Sequence, residues 1–136
     1  MKEEQVMGDI FRSRRGKEDE RVGHIDDELN VYRHAAHAPD RRLGHLAPDG
    51  QVYRHRRLQP DERVGYVDRQ GNVFRDVRLG RDHRAGRVDR NGEVYVDVPD
   101  GEDRRVGKVT GTRALLEGAG ALLLLLAEEA PGADRE

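Results

Sequence analysis

The sequence predicts an all-β protein: a closed or nearly closed, pseudo-symmetric array of 21-residue hairpin units followed by a hydrophobic helix. Three observations carry this. Asp19, Asp40, Asp61, Asp82 and Asp103 recur in strict 21-residue register, in step with Arg21, Arg42, Arg63, Arg84 and Arg105 and with Gly23, Gly44, Gly65, Gly86 and Gly107. A half-motif of glycine, any residue, Val or Ile and an aromatic keeps the same step from Gly8, Gly50, Gly71 and Gly92, with Leu29 as the exception. The stretch from Thr112 to Ala130 then leaves the pattern and holds five consecutive leucines. A fixed period of this length marks units that cannot bury their own apolar faces and must shelter one another.

Composition bounds the rest. A chain of 136 residues allows one domain with a modest core. Its Leu, Ile, Val and Phe content, about a fifth, approaches that of disordered chains. Two facts oppose disorder: the apolar residues sit at fixed repeat positions, and the net charge is only −2 although 38% of residues are charged. Cysteine is absent, which excludes disulfides and thiolate metal sites and fits a reducing cytoplasm. The opening MKEEQVMGDIFR lacks the apolar core of a signal peptide, and no apolar run reaches spanning length. The expectation is a cytoplasmic protein with no transmembrane segment. Lysine occurs only at Lys2, Lys17 and Lys108, so arginine carries nearly all the positive charge. Arginine makes planar, bidentate pairs with carboxylates, and the Asp and Arg series read as structural ion pairs, Arg63 with Asp61 for example.

Taken in order, residues 1–7 are polar and expected to be flexible. Gly8 to Arg12 is a tail strand without a head, and Arg14 to Asp19 reads as a charged loop. Four complete units follow. In the third, Val64–Val67 is a strand, Asp68–Gly71 a tight turn and Asn72–Val77 the returning strand. The turn has a mechanism in the second unit, Ala47-Pro48-Asp49-Gly50: proline presets φ and glycine takes the left-handed position of a type I turn with a G1 bulge. Leu29 in the glycine position predicts a different or looser turn in the first unit.

Placing Asp68 opposite Asn72 sets Val67 against Val73, Tyr66 against Phe74 and Gly65 against Arg75. Val67 and Val73 then share one face, Val64 and Phe74 the other. The recurrent glycine, opposite arginine in three units and Val96 in the fourth, predicts close approach of backbone or of the facing side chain. Asp103–Val109 is a head without a tail. Pairing it with Gly8–Arg12 would make a fifth hairpin and close the ring, abolishing exposed edges. The repeat domain therefore spans 8–111, the helix 112–130 and a flexible end 131–136.

Thr112 is the expected N-cap of that helix. Leu122–Leu126 is apolar all round, so it should be buried on several sides, plugging the ring or packing against another subunit, with peripheral membrane attachment the weaker option. The ten residues between Glu117 and Glu128 span about 15 Å as a helix, half the thickness of a bilayer core. A homo-oligomer held by this leucine-rich segment is one expectation.

The pattern GxVDxxGxV followed by an aromatic, in Gly65 to Phe74 and Gly86 to Tyr95, resembles short bacterial tandem-hairpin proteins of the four-fold beta-flower type. The leucine-rich tail Gly118–Leu126 is also similar. The likeness covers roughly residues 8 to 126. It implies hairpins arranged as petals about a pseudo-symmetry axis, with no established activity or catalytic residues. Four petals with spare strands, or five, both fit the count here. Rhs-type YD repeats have a similar period, but Tyr32, Tyr53 and Tyr95 are not followed by Asp.

Candidate chemistry is sparse. His24 and His34 would share one face of a hairpin, as would His45 and His55, and each pair is half a metal site. Units three and four carry Tyr66, Arg87, Asp76 and Asp97 at these positions, so solvated surface histidine with no metal is the leading reading. Asp89, Asn91 and Glu93 supply too few ligands for a calcium loop. Arg12, Arg33, Arg54 and Arg75 would form a circlet in a closed ring, and with Arg56 and Arg57 of the basic segment 33–58 could hold an anion or nucleic acid. One serine, no cysteine and no phosphate-cradling glycine loop argue against an enzyme, and no cofactor is expected. The sequence thus points to a non-enzymatic structural or protein-interaction module, with anion or nucleic-acid binding as the alternative.

Overall fold

The computed structural model describes residues 8–76, 82–98 and 101–126. Ten antiparallel strands follow one another around a closed barrel: β1 (Gly8–Arg14), β2 (Lys17–Ile25), β3 (Asn30–Arg33), β4 (Arg41–Leu46), β5 (Gln51–Arg56), β6 (Gln59–Val67), β7 (Asn72–Arg75), β8 (His83–Val88), β9 (Glu93–Val96) and β10 (Arg104–Val109). The two half-units pair, Ile10 with Val109, Phe11 with Lys108 and Arg12 with Gly107, so the ring has five hairpins. The flexible ends expected at 1–7 and 131–136, and the helix end at 127–130, lie outside the described residues.

The hairpin register is the one the period implies. Val67 faces Val73, Tyr66 faces Phe74 and Gly65 faces Arg75, and the same pairing recurs at Gly23 with Arg33, Gly44 with Arg54 and Gly86 with Val96. Asp68 fixes its turn by accepting hydrogen bonds from the Gln70 and Asn72 backbone N–H groups, both at 2.9 Å. Gly50, Gly71 and Gly92 take positive φ, at 105°, 93° and 89°.

Four expectations are corrected. Leu29 keeps the same turn, donating to the Asp26 carbonyl at 3.0 Å with φ at 69°. Its side chain is 8% exposed, and that burial offsets the left-handed backbone. Arg14–Asp19 is mostly strand, because Arg14 pairs with Lys17 and only Arg15 and Gly16 turn. Val64 does not share a face with Phe74. Between hairpins one residue is skipped, with Val52 opposite Gly65 and Tyr53 opposite Arg63, and the bulged Val64 turns back onto the core. Thr112 is not the helix cap; Arg113 takes that position without a side-chain bond, and Glu117 Oε2 accepts the Arg113 N–H at 3.2 Å.

The barrel is filled by its own C-terminus. Ile10, Val31, Val52, Val73 and Val94 form one inward rung, each fully buried, and Ile25, Leu46, Val88 and Val109 belong to a second. Down the middle run α1 (Ala114–Ala121) and a π-helical turn, Leu122–Leu126. Gly118 lies on Val88 and Gly120 on Leu46, where any side chain would collide.

The recurrent glycines are crowded as expected. A Cβ on Gly23, Gly44, Gly65, Gly86 or Gly107 would strike the carbonyl oxygen of Tyr32, Tyr53, Phe74, Tyr95 or Phe11. Each of four also receives a leucine: Leu122 at Gly86, Leu123 at Gly65, Leu125 at Gly23 and Leu126 at Gly107. Leu124 is left for the sector of Gly44. Consecutive leucines therefore address consecutive hairpins. Five equal sectors ask for about 72° per residue, less than the 100° of an α-helix, and the wider i→i+5 winding moves the step in that direction. These leucines are at most 4% exposed, so the structure takes the plug and spends them within the subunit. No helix among the described residues is long and apolar enough to cross a membrane.

Candidate functional site

Polar side chains collect on the outer face where neighbouring hairpins meet, and each joint uses the same positions. The first element is a stacked pair across the hairpin. His24 lies on Tyr32 with ring centroids 4.8 Å apart, His45 on Tyr53 at 4.7 Å and Tyr66 on Phe74 at 5.0 Å. The Arg87 guanidinium covers Tyr95 at 4.0 Å. Four units place a flat group here, which is how His, Tyr and Arg interchange, while the fifth sets Lys108 opposite Phe11.

The second element is the recurrent arginine, and it pairs across the joint. Arg42 Nη2 meets Asp61 at 2.9 Å and Arg105 Nη2 meets Asp19 at 2.8 Å, while Arg84 reaches Asp97 at 2.7 Å and Asp103 at 3.7 Å. Arg63 reaches Asp76, at 3.3 Å, and not Asp61 as the repeat pattern predicts. Asp61 lies two residues before Arg63 on one strand, and the bulge at Val64 swings that arginine toward its own hairpin's tail. The Arg105–Asp19 pair closes the ring electrostatically. Its hydrogen bonds hold the Asp19 carboxyl below, and the Arg105 guanidinium above, their ordinary ranges.

Units one and two bring their histidines together, and each adds an aspartate. In unit two, His45 Nδ1 lies 2.7 Å and His55 Nδ1 3.5 Å from Asp61, and Arg42 sits among all three. Burial raises the Asp61 carboxyl, but the hydrogen bonds from Arg42 and His45 prevail and hold it below its usual value. In unit one, His34 Nδ1 is 2.9 Å and His24 Nδ1 3.4 Å from Asp40 Oδ2. Desolvation opposes ionisation of Asp40, and contacts with His34, the Ala35 N–H and His24 overcome it. Arg21 does not join this group; its ion pair is with Asp9 at 2.9 Å.

The predicted arginine circlet has a backbone basis. Arg12, Arg33, Arg54 and Arg75 pair with Gly107, Gly23, Gly44 and Gly65, so they occupy one rung on the inward side. Arg54 Nη2 donates to the Leu123 carbonyl at 3.2 Å, placing positive charge at the negative end of the central helix. All four arginines are engaged. Arg56 lies two residues beyond Arg54 and donates to the Pro60 carbonyl at 3.2 Å, and Arg57 is exposed in the β5–β6 turn. The structure thus groups the first four and sets Arg56 and Arg57 apart from them on a projecting hairpin.

Two features leave no mark in the repeat pattern. Glu117 is 1% exposed inside the barrel, and burial raises its carboxyl above the ordinary range despite hydrogen bonds from the Arg113 and Gly111 backbone. Its place in the first helical turn, where carboxylates favour free N–H groups, was the available signal. Leu58 occupies the tip of the β5–β6 turn with φ at 59° and 94% exposure. The equivalent tip of β1–β2 is Gly16, with φ at 68°. Compared with protein-family models, with curated proteins and with solved structures, the chain finds no match in any of the three.

Proposed function

We propose that this protein is a non-enzymatic structural and protein-interaction module, a rigid barrel that presents the β5–β6 hairpin to a partner. The carrying observation is Leu58. A left-handed backbone at a non-glycine residue costs about 1–2 kcal/mol, and Leu58 recovers none of it by burial. Gly16 shows that glycine fits the same turn. Exposed leucine flanked by Arg56, Arg57 and Gln59 suits a partner with an apolar notch and an acidic rim. The charged outer face, with its joints built from Arg, Asp and His, supports work in water, and we place the module in the cytoplasm. The tandem-hairpin motif and its likeness to bacterial beta-flower proteins support the same non-catalytic reading.

A photo-crosslinking residue placed at 58 in the producing cell tests this. One discrete protein adduct, absent when the crosslinker is at position 16, is expected. No adduct, or the same adducts from both positions, contradicts it.

Anion or nucleic-acid binding is the second reading, favoured by Arg56 and Arg57 projecting beyond the arginine rung. It requires a salt-dependent shift of single-stranded RNA or DNA that disappears with Arg54→Ala and Arg56→Ala together. Absence of a shift at low salt removes it.

A further inference from the structure

Among the five joints, the first is the one whose recurrent arginine forms no ion pair with its own cluster among the described residues. Joints two to five each hold a guanidinium from the recurrent series, Arg42, Arg63, Arg84 or Arg105, against carboxylates of the cluster. At joint one Arg21 keeps the Nε contact that Arg42, Arg84 and Arg105 make to Asn30, Asn72 and Glu93, here with Asp9 at 2.9 Å. Asp9 is the only residue of its series that is both short and charged; Asn30, Gln51, Asn72 and Glu93 stand in the other units. What remains is His24, His34 and Asp40, with one ligand atom from each lying within 4.8 Å of the other two.

Two further observations point to a ligand. His24 Nδ1 and His34 Nε2 are shielded from solvent and have no hydrogen-bond partner, so one ring nitrogen of each histidine is left unsatisfied. A cleft of about 310 Å3, lined by Arg12, Arg21 and Arg33 together with Glu20, His34 and Ala35, borders the cluster and opens it to solvent. We infer that His24, His34 and Asp40 bind a divalent first-row transition ion, zinc foremost, which takes the place the guanidinium fills at the other joints.

The donor set suits such an ion. The two imidazoles are borderline ligands that favour zinc, cobalt and nickel over calcium or magnesium, and zinc accepts the harder carboxylate beside them. Ligands about 2.1 Å from zinc lie about 3.4 Å apart in a tetrahedron; the separations here run from 2.9 Å up to at most 4.8 Å, so the narrowest opens slightly, the widest closes, and one position is left for water. Asp40 opens unit two while both histidines belong to unit one, so the ion would staple adjacent hairpins, as Arg42 does at the next joint through Asp61.

The test is titration of the untagged, metal-free full chain with Co2+, followed by d–d absorption, and with Zn2+ by calorimetry. The variants come from the repeat itself: His24→Tyr copies Tyr66, His34→Ser copies Ser13, and Asp40→Asn removes the carboxylate charge. His45→Tyr is the control at joint two. One ion per chain is expected. Each joint-one variant should weaken binding by more than the roughly 10- to 100-fold that loss of an outer-shell partner costs, with His45→Tyr unchanged. No saturable binding overturns the inference, as does binding that survives all three folded joint-one variants or falls equally with His45→Tyr. Circular dichroism establishes which variants fold, and Asp40→Asn decides the matter if a histidine variant does not.

Discussion

Truncating Leu123 tests whether the π turn and the hairpin glycines are fitted to each other. Leu123 is fully buried, and a methyl group on Gly65 would lie 2.7 Å from its Cδ1. The walls around it are hydrogen-bonded barrel backbone and cannot easily collapse, so Leu123→Ala should cost about 3–4 kcal/mol, in the middle of the range for such changes. Gly65→Ala meets both Leu123 and the Phe74 carbonyl oxygen. Overpacking of about 1–3 kcal/mol then exceeds the 0.4–1 kcal/mol gained by stiffening the unfolded chain. In the double variant the cavity admits the new methyl but the carbonyl collision persists. The two costs should therefore fall short of additivity by about 1 kcal/mol. Urea unfolding followed by circular dichroism reads this directly: with m near 2 kcal/mol per molar, Leu123→Ala lowers the midpoint by about 1.5–2 M. A loss under about 1 kcal/mol for Leu123→Ala, or strict additivity in the double variant, refutes the fit.

Further outcomes follow from the same structure. Leu58→Gly relieves a left-handed backbone without losing burial and should stabilise by about 0.5 kcal/mol. Leu29→Gly removes a buried side chain as well and should destabilise by about 1.5 kcal/mol, so opposite shifts in urea midpoint are expected. Because the Glu117 carboxyl is raised by burial, its neutral form supports the fold at low pH, and that support is lost as pH climbs through the raised value. Glu117→Gln should therefore gain stability relative to the parent as pH rises from about 4 toward neutrality; a pH-independent difference contradicts this. Asp61 is lowered, so its contribution is complete above the ordinary aspartate range and lost as pH falls through the lowered value. The stability gap between the parent chain and Asp61→Asn should shrink on acidification, read from urea midpoints at neutral and acid pH.

Much of the architecture is written in local chemistry. Asp68, Asn72 and Gly71 define one hairpin's register without help from the rest of the chain, and repetition copies it around the ring. The missing head before Gly8 and the missing tail after Val109 make closure readable, and five adjacent leucines announce burial on all sides. What sequence does not carry is what one residue's offset does between hairpins. The bulge at Val64 turns that side chain inward and redirects the arginine beside it, so Arg63 meets Asp76 instead of Asp61. Leu29 defeats the glycine rule because tertiary burial outweighs a local preference. The His24–His34 pair was visible from strand alternation. Asp40 was not, because a connection without regular structure folds it back onto them.

The closed ring of five hairpins is tested most directly by joining its ends. Phe11 and Lys108 are directly opposed on β1 and β10, and the chain has no other cysteine to interfere. Facing residues of an antiparallel pair have Cα atoms about 5.5 Å apart, close to the separation a disulfide prefers. Phe11→Cys with Lys108→Cys should form an intramolecular bond under mild oxidation and raise the urea midpoint. Failure to cross-link, or bonding only between chains, contradicts the closed barrel.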